Sequence, residues 1–138
     1  MSTSEYGIRT RVDGEFDKVV SQTINALKDQ GFGVLSDIDV QETLKNKLDI
    51  DFRRYRILGA CNPPLAYQAL SEEIELGLLL PCNVIVYEIE EGACMVAAVD
   101  PVTSLSIVGN TALGPVAEEV RARLKEVLAV LEIHPASA

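Results

Sequence analysis

The chain has one histidine, three cysteines, and 12 basic residues against 21 acidic ones. His134 follows the last apolar helix pattern with no predicted partner, and it reads as a solvated group at a helix C-terminus. A Ser-His-Asp or Cys-His catalytic unit is therefore not expected. A structural zinc site needs four Cys or His ligands, so three cysteines and this one histidine make a poor one, and no metal ligands are assigned. The odd cysteine count fits a reducing compartment better than a disulfide framework. The shortage of basic residues leaves a net charge of -9. That argues against nucleic acid, whose binders normally present a basic face. The one local exception, Arg53-Arg54-Tyr55-Arg56, splits its side chains between two faces if it lies on a strand. Long apolar runs are absent too. The stretch from Leu76 to Tyr87 is interrupted by Pro81 and is too short to span a bilayer. Met1–Glu5 has no basic region followed by an apolar run, as a secretory signal would. These absences predict a cytoplasmic protein with no nucleic-acid and no membrane partner.

The 138 residues suit a single domain over 1–138, with an ordered core of about 6–133. A domain of this size needs neither disulfide nor metal to fold. Neither an internal repeat nor a linker is visible, and the small polar ends, Met1–Glu5 and Pro135–Ala138, are expected to fray.

Alternation over Tyr6–Val12 predicts a half-buried strand, with Ile8, Thr10 and Val12 on one face and Arg9 and Arg11 on the other. Phe16, Val19, Val20, Thr23, Ile24 and Leu27 recur at helical spacing, and Gly31 is a natural stop. Phe32–Ile38 reads as a second strand. Asp39, with Glu42 three residues on, opens a short helix carrying Val40, Leu44 and Leu48. Phe52–Ala60 reads as strand again. Asn62 as N-cap and Pro63 at the first helical position then open a helix that would bury Leu65, Ala66, Ala69, Leu70 and Ile74 and stop at Gly77. Asn83–Glu90 and Ala93–Val99 form a hairpin about Glu91-Gly92, with Cys94 on the core side. Val102–Leu113 carries no readable pattern. Pro115 opens a last helix with a broad apolar face, including Val127, Leu128, Val130, Leu131 and Ile133. That face either meets a second subunit or sinks into the protein's own core.

The hairpin is antiparallel, and the early strands alternate as they would with one sheet face in water. The expected fold class is α+β: a mainly antiparallel sheet with the first and last helices on one face.

Other chemistry-bearing residue types have plainer explanations. The acidic runs at Glu72–Glu75, Glu88–Glu91 and Glu118–Glu119 fall on exposed faces and a first helical turn, not as a glycosidase-like pair across a cleft. Gly109–Pro115 precedes a helix but lacks the Lys-Ser/Thr of a P-loop and the spacing of a dinucleotide site. Asp100-Pro101 reads as a strand terminator.

What remains is a repeated dipeptide, Cys61-Asn62 and Cys82-Asn83, each at a boundary between elements. If the flanking strands are antiparallel neighbours, the two thiols share one sheet edge. If the strands are parallel, the thiols sit roughly 20 Å apart. Cys61 would also precede a helix N-terminus, which favours a thiolate, whereas apolar burial opposes one.

With Gly59-Ala60-Cys61-Asn62-Pro63 and Leu80-Pro81-Cys82-Asn83-Val84 in place, the chain resembles the family called domain of unknown function 302, from about Tyr6 to Leu131. The matching motif positions are Gly59, Cys61, Asn62, Pro63, Pro81, Cys82 and Asn83. The resemblance implies a small bacterial or archaeal protein, a fold similar to the TATA-box-binding protein, and a homodimer. It supplies no catalytic residues and no cofactor.

Three readings stay open. The working one is a homodimeric binding module holding a small molecule or a soft metal near Cys61, Asn62, Cys82 and Asn83. A structural or partner-docking protein with inert buried thiols explains the same residues. The third is a thiol redox enzyme, with Cys61 as nucleophile and Cys82 resolving.

Overall fold

The computed structural model describes residues 1–133, so His134 and the segment 135–138 lie outside the described residues. Six strands form one sheet: β1 (Ser2–Thr3), β2 (Gly7–Asp13), β3 (Gly33–Asp39), β4 (Tyr55–Cys61), β5 (Cys82–Glu90) and β6 (Ala93–Val99). Their spatial order is β1-β2-β6-β5-β4-β3, and every pairing is antiparallel. Five α-helices accompany them: α1 (Phe16–Asp29), α2 (Val40–Leu48), α3 (Pro63–Glu72), α4 (Pro101–Ser106) and α5 (Gly114–Ile133). Two 3₁₀ turns, Ile74–Leu79 and Thr111–Leu113, complete the described chain. The fold is α+β, as the sequence predicts. No helix among the described residues is long and apolar enough to cross a membrane.

The core follows from alternation. Ile8 and Val12 of β2, Leu58 and Ala60 of β4, Val84 and Val86 of β5, and Cys94, Val96 and Ala98 of β6 are all buried. Residues two apart on a strand share a face, and the cross-strand register joins these into one apolar layer. Val19, Val20 and Leu27 of α1 and Leu124, Leu128 and Leu131 of α5 cover that layer. Val127, Leu128 and Leu131 are at most 1% exposed and pack into the protein's own core, whereas Val130 is 37% exposed.

Local chemistry sets the element ends. The Asn62 side chain accepts from the Leu65 amide at 3.3 Å, with Pro63 at the first helical position. Asp39 accepts from the Glu42 amide at 2.9 Å and caps α2. Gly31 ends α1 with a φ of 85°, a left-handed conformation that suits a residue without Cβ. The Phe32 amide then donates to the Leu27 carbonyl at 2.9 Å, closing the helix end.

Four departures from the sequence reading have physical causes. Ser2–Thr3 does not fray but pairs with Arg9 and Ile8, and the Met1 amino group pairs with Glu132. The helix after Asn62 stops at Glu72 because Glu73 is extended, so Ile74 is 81% exposed and Leu76 is buried in its place. The strand expected from Phe52 begins only at Tyr55. In the unreadable stretch, Asp100 accepts from the Val102 amide at 3.0 Å and caps α4.

Gly59 is held by crowding. A Cβ there would collide with Ser36 Oγ and stand 2.8 Å from Pro81 Cγ. Gly59→Ala is expected to destabilise the protein by about 1–3 kcal/mol, read by denaturant unfolding. Ser36 can swing away but the Pro81 ring cannot, so combining it with Ser36→Gly should recover only part of the loss. Wild-type stability for Gly59→Ala would contradict this packing.

Candidate functional site

Strands β4 and β5 pair with Ala60 opposite Cys82 and Gly59 opposite Asn83. The antiparallel direction therefore brings the two Cys-Asn dipeptides to one end of the sheet. Cys61 lies one residue beyond the Ala60–Cys82 pair, so the thiols are offset neighbours. Both cysteines are half-buried and free, and Cys94 is buried and free.

Cys61, Asn62 and Cys82 line one cavity of about 290 Å³. Its walls are Phe32 before β3, Leu65 and Ala69 of α3, Leu80 and Pro81 before β5, Leu105 of α4, and Val116 and Val120 of α5. Almost every wall is aliphatic, and no charged side chain lines it. Asn62 is only 6% exposed, and both ends of its amide are engaged. Its oxygen caps α3, and its nitrogen donates to the Gln30 carbonyl at 3.5 Å. Arg123 Nη1 donates to that same carbonyl at 3.2 Å. Asn62 therefore builds the mouth of α3 and ties it to α1 and α5.

Burial pushes the Cys82 thiol up to about 11, with the neighbouring Cys61 adding to the rise. At neutral pH Cys82 is then held as the thiol. The thiolate is the form that attacks disulfides and binds soft metals, so this environment opposes both uses. Burial likewise pushes Cys94 up to about 11, and its Sγ faces the Gly14 carbonyl at 3.9 Å. Cys94 is core, as its strand parity predicts.

Asn83 does not join the other three motif residues. It is exposed and lines a second cavity on the opposite face of the sheet. The arginine cluster is dispersed: Arg56 pairs bidentately with Asp37, whose carboxyl it holds below the usual carboxylate range. Arg54 lies over the Phe16 ring and pairs with Glu15 and Asp17, and Arg53 lies over the Tyr87 ring. Part of the acidic runs is likewise engaged: Glu90 with Arg11, Glu118 with Arg121, Glu119 with Arg123. Asn110, in the loop before α5, is bound to the end of α3 through the Glu72 carbonyl and Glu73 Oε1, each at 3.2 Å. No group of three or more His, Cys, Asp or Glu side chains placed to hold a metal occurs among the described residues.

The model of the family described as domain of unknown function DUF302 matches residues 8–131. The chain is also similar to a solved structure from Bacillus stearothermophilus, an uncharacterized conserved DUF302 protein. The identity is 29%, covering 91% of this chain and 98% of that one, with a TM-score of 0.83. No curated protein matches it.

Cys82 is expected to react slowly with a chromogenic disulfide in the native state. Its rate should keep rising about tenfold per pH unit past pH 9, where an ordinary thiol has levelled off. Single Cys→Ser variants assign each phase, and a Cys82 phase that levels off near pH 8.5 would remove this account of its environment.

Proposed function

The chain belongs to the DUF302 family, and we propose that it is a homodimeric binding module that takes a small apolar molecule into the cavity beside Cys61 and Cys82. One observation carries this reading: a cavity of about 290 Å³ with aliphatic walls and two free thiols at its edge. That volume is at the small end of ligand pockets. The soft-metal version is less well supported, because Cys82 would have to surrender a proton it holds tightly. In the redox version the same obstacle falls on Cys82 as the resolving thiol. Free thiols also favour a reducing compartment, and we place the protein in the cytoplasm.

The test uses naphthalene as the probe, followed by amide shifts in the labelled protein. Saturable shifts at Leu65, Ala66, Ala69 and Cys82 are expected, and alkylation of Cys61 with iodoacetamide should weaken binding by at least about tenfold through loss of cavity volume. Binding unchanged by alkylation would overturn the site. Cys61→Ser with Cys82→Ser, if it altered stability alone, would return the thiols to a structural role.

The homodimer draws support from strand β3. It pairs on one side only, with β4, and leaves Leu35 and Ile38 at 70% and 48% exposure. An open antiparallel edge is self-complementary across a two-fold axis. Ile38→Lys is expected to shift sedimentation from dimer to monomer with the circular dichroism spectrum unchanged. A dimer indifferent to this change would place the interface elsewhere.

A further inference from the structure

The sheet face turned away from α1 and α5 carries its own cavity, of about 590 Å³. Its lining includes Tyr6, Arg9, Tyr55, Asn83, Ile85 and Tyr87. The floor is a cross-strand row, Arg9 opposite Ala97 and Ala97 opposite Ile85. Tyr55 and Tyr87 stand opposite each other one row along, their rings stacked at 5.5 Å and 10°.

Arg9 is the unusual group. Five other arginines, Arg11, Arg54, Arg56, Arg121 and Arg123, pair with carboxylates, and Arg53 lies over the Tyr87 ring with its Nη1 on the Glu88 carbonyl, whereas Arg9 makes neither an ion pair with any described carboxylate nor a ring contact of that kind. Its Nη2 donates to Ser4 Oγ at 3.0 Å, and its Nε is buried with no hydrogen-bond partner among the described residues. A buried donor on a charged group is costly to leave unmade, and because Nε itself is out of contact with solvent, a ligand in the cavity would meet the guanidinium at its Nη groups. The chain as a whole is strongly acidic, so Arg9 does not go without an ion pair for want of available acids. Ser4 is itself held: its amide donates to the Gly7 carbonyl at 2.8 Å, behind the short β1–β2 pairing. The N-terminal residues thus position the Arg9 side chain.

We propose that this cavity is a second binding site, for an organic monocarboxylate with an apolar or aromatic body, its carboxylate held by Arg9. A guanidinium edge presents parallel N–H donors that match the two oxygens of a carboxylate. One cation with no second basic group in the lining matches a single negative charge better than a dianionic phosphate. The stacked tyrosines, Ile85 and Ala97 offer the apolar surface for the body, and the tyrosine hydroxyls and Asn83 offer polar contacts at its rim. The site opens on the other face of the sheet from the cavity at Cys61, and Pro81 lines both.

The probes are 4-phenylbutyrate and its uncharged counterpart 4-phenylbutanol, added to the full-length protein labelled with nitrogen-15. The carboxylate is expected to bind at least about tenfold more tightly than the alcohol. The Arg9 Nε–H signal should shift, together with the amides of Asn83, Ile85 and Ala97. Arg9→Gln should abolish that preference while leaving the amide spectrum of the helix face unchanged, and Arg9→Lys should keep part of it. Equal binding of the two probes by the wild-type protein overturns the proposal without relying on any variant. So does a shift pattern confined to Leu65, Ala66 and Ala69, which would assign the probe to the thiol cavity. A face that resists both probes at every protein concentration where sedimentation shows a dimer would show a second copy to be its occupant, again overturning the proposal.

Discussion

The antiparallel pairing of β4 with β5 is the constraint on which the molecule depends. Because side chains alternate along a strand, its register decides which residues enter the core. With Leu58 opposite Val84 and Ala60 opposite Cys82, the small and branched side chains meet α1 and α5. A slip of one residue would drive Ile57 and Gly59 inward and leave Leu58 in water. The same register draws the end of β4 to the start of β5, so the two Cys-Asn dipeptides converge although 20 residues lie between Cys61 and Cys82. Gly59 protects this register, since only a residue without Cβ fits between Ser36 and Pro81.

From that pairing the sheet acquires two different faces. The face toward α1 and α5 is a packed apolar layer, and the thiol cavity is the gap left at its end, where α3, α4 and α5 meet the strand termini. The other face keeps its polar and aromatic side chains and a cation without a carboxylate. Asn62 and Asn83 show the division. The two occupy equivalent places in the repeated dipeptide, yet the first is sealed beneath α3 as a cap while the second opens onto the far face. Repetition in the sequence is thus not repetition in space: Asn62 leaves its strand for a helix, whereas Asn83 enters a strand.

Much of this was legible in the residues. Alternation in β2, the caps at Asp39 and Asn62, the stop at Gly31 and the hairpin about Gly92 are local effects, carried by neighbours in sequence. They suffice for the fold class and for the convergence of Cys61 with Cys82 once antiparallel pairing is inferred. The cavity walls are another matter. Leu105 and Val116 reach it from segments far along the chain, and no spacing rule brings them to Cys82. Arg9 was legible as an outward residue, but a missing ion pair is a property of three-dimensional neighbours and leaves no local trace.

The missed helix α4 was less hidden. Asp100 and Pro101 repeat the logic of Asn62 and Pro63: a side-chain oxygen ready to accept an amide, then a proline whose fixed φ and absent N–H suit the first turn. The two signals differ in the residues downstream. After Pro63 come Leu65, Ala66, Ala69 and Leu70 at helical spacing, whereas α4 is six residues long, too short for an apolar period to repeat. Its anchor is tertiary. Leu105 is 6% exposed and packs with Leu113, Val116 and Ala117, and Arg121 reaches back to the capping Asp100 at 3.7 Å. A short helix of this kind is stable only where the surrounding packing rewards it. Here that packing is the wall of the thiol cavity, so the segment that carries the weakest local signal is the one that closes the candidate site.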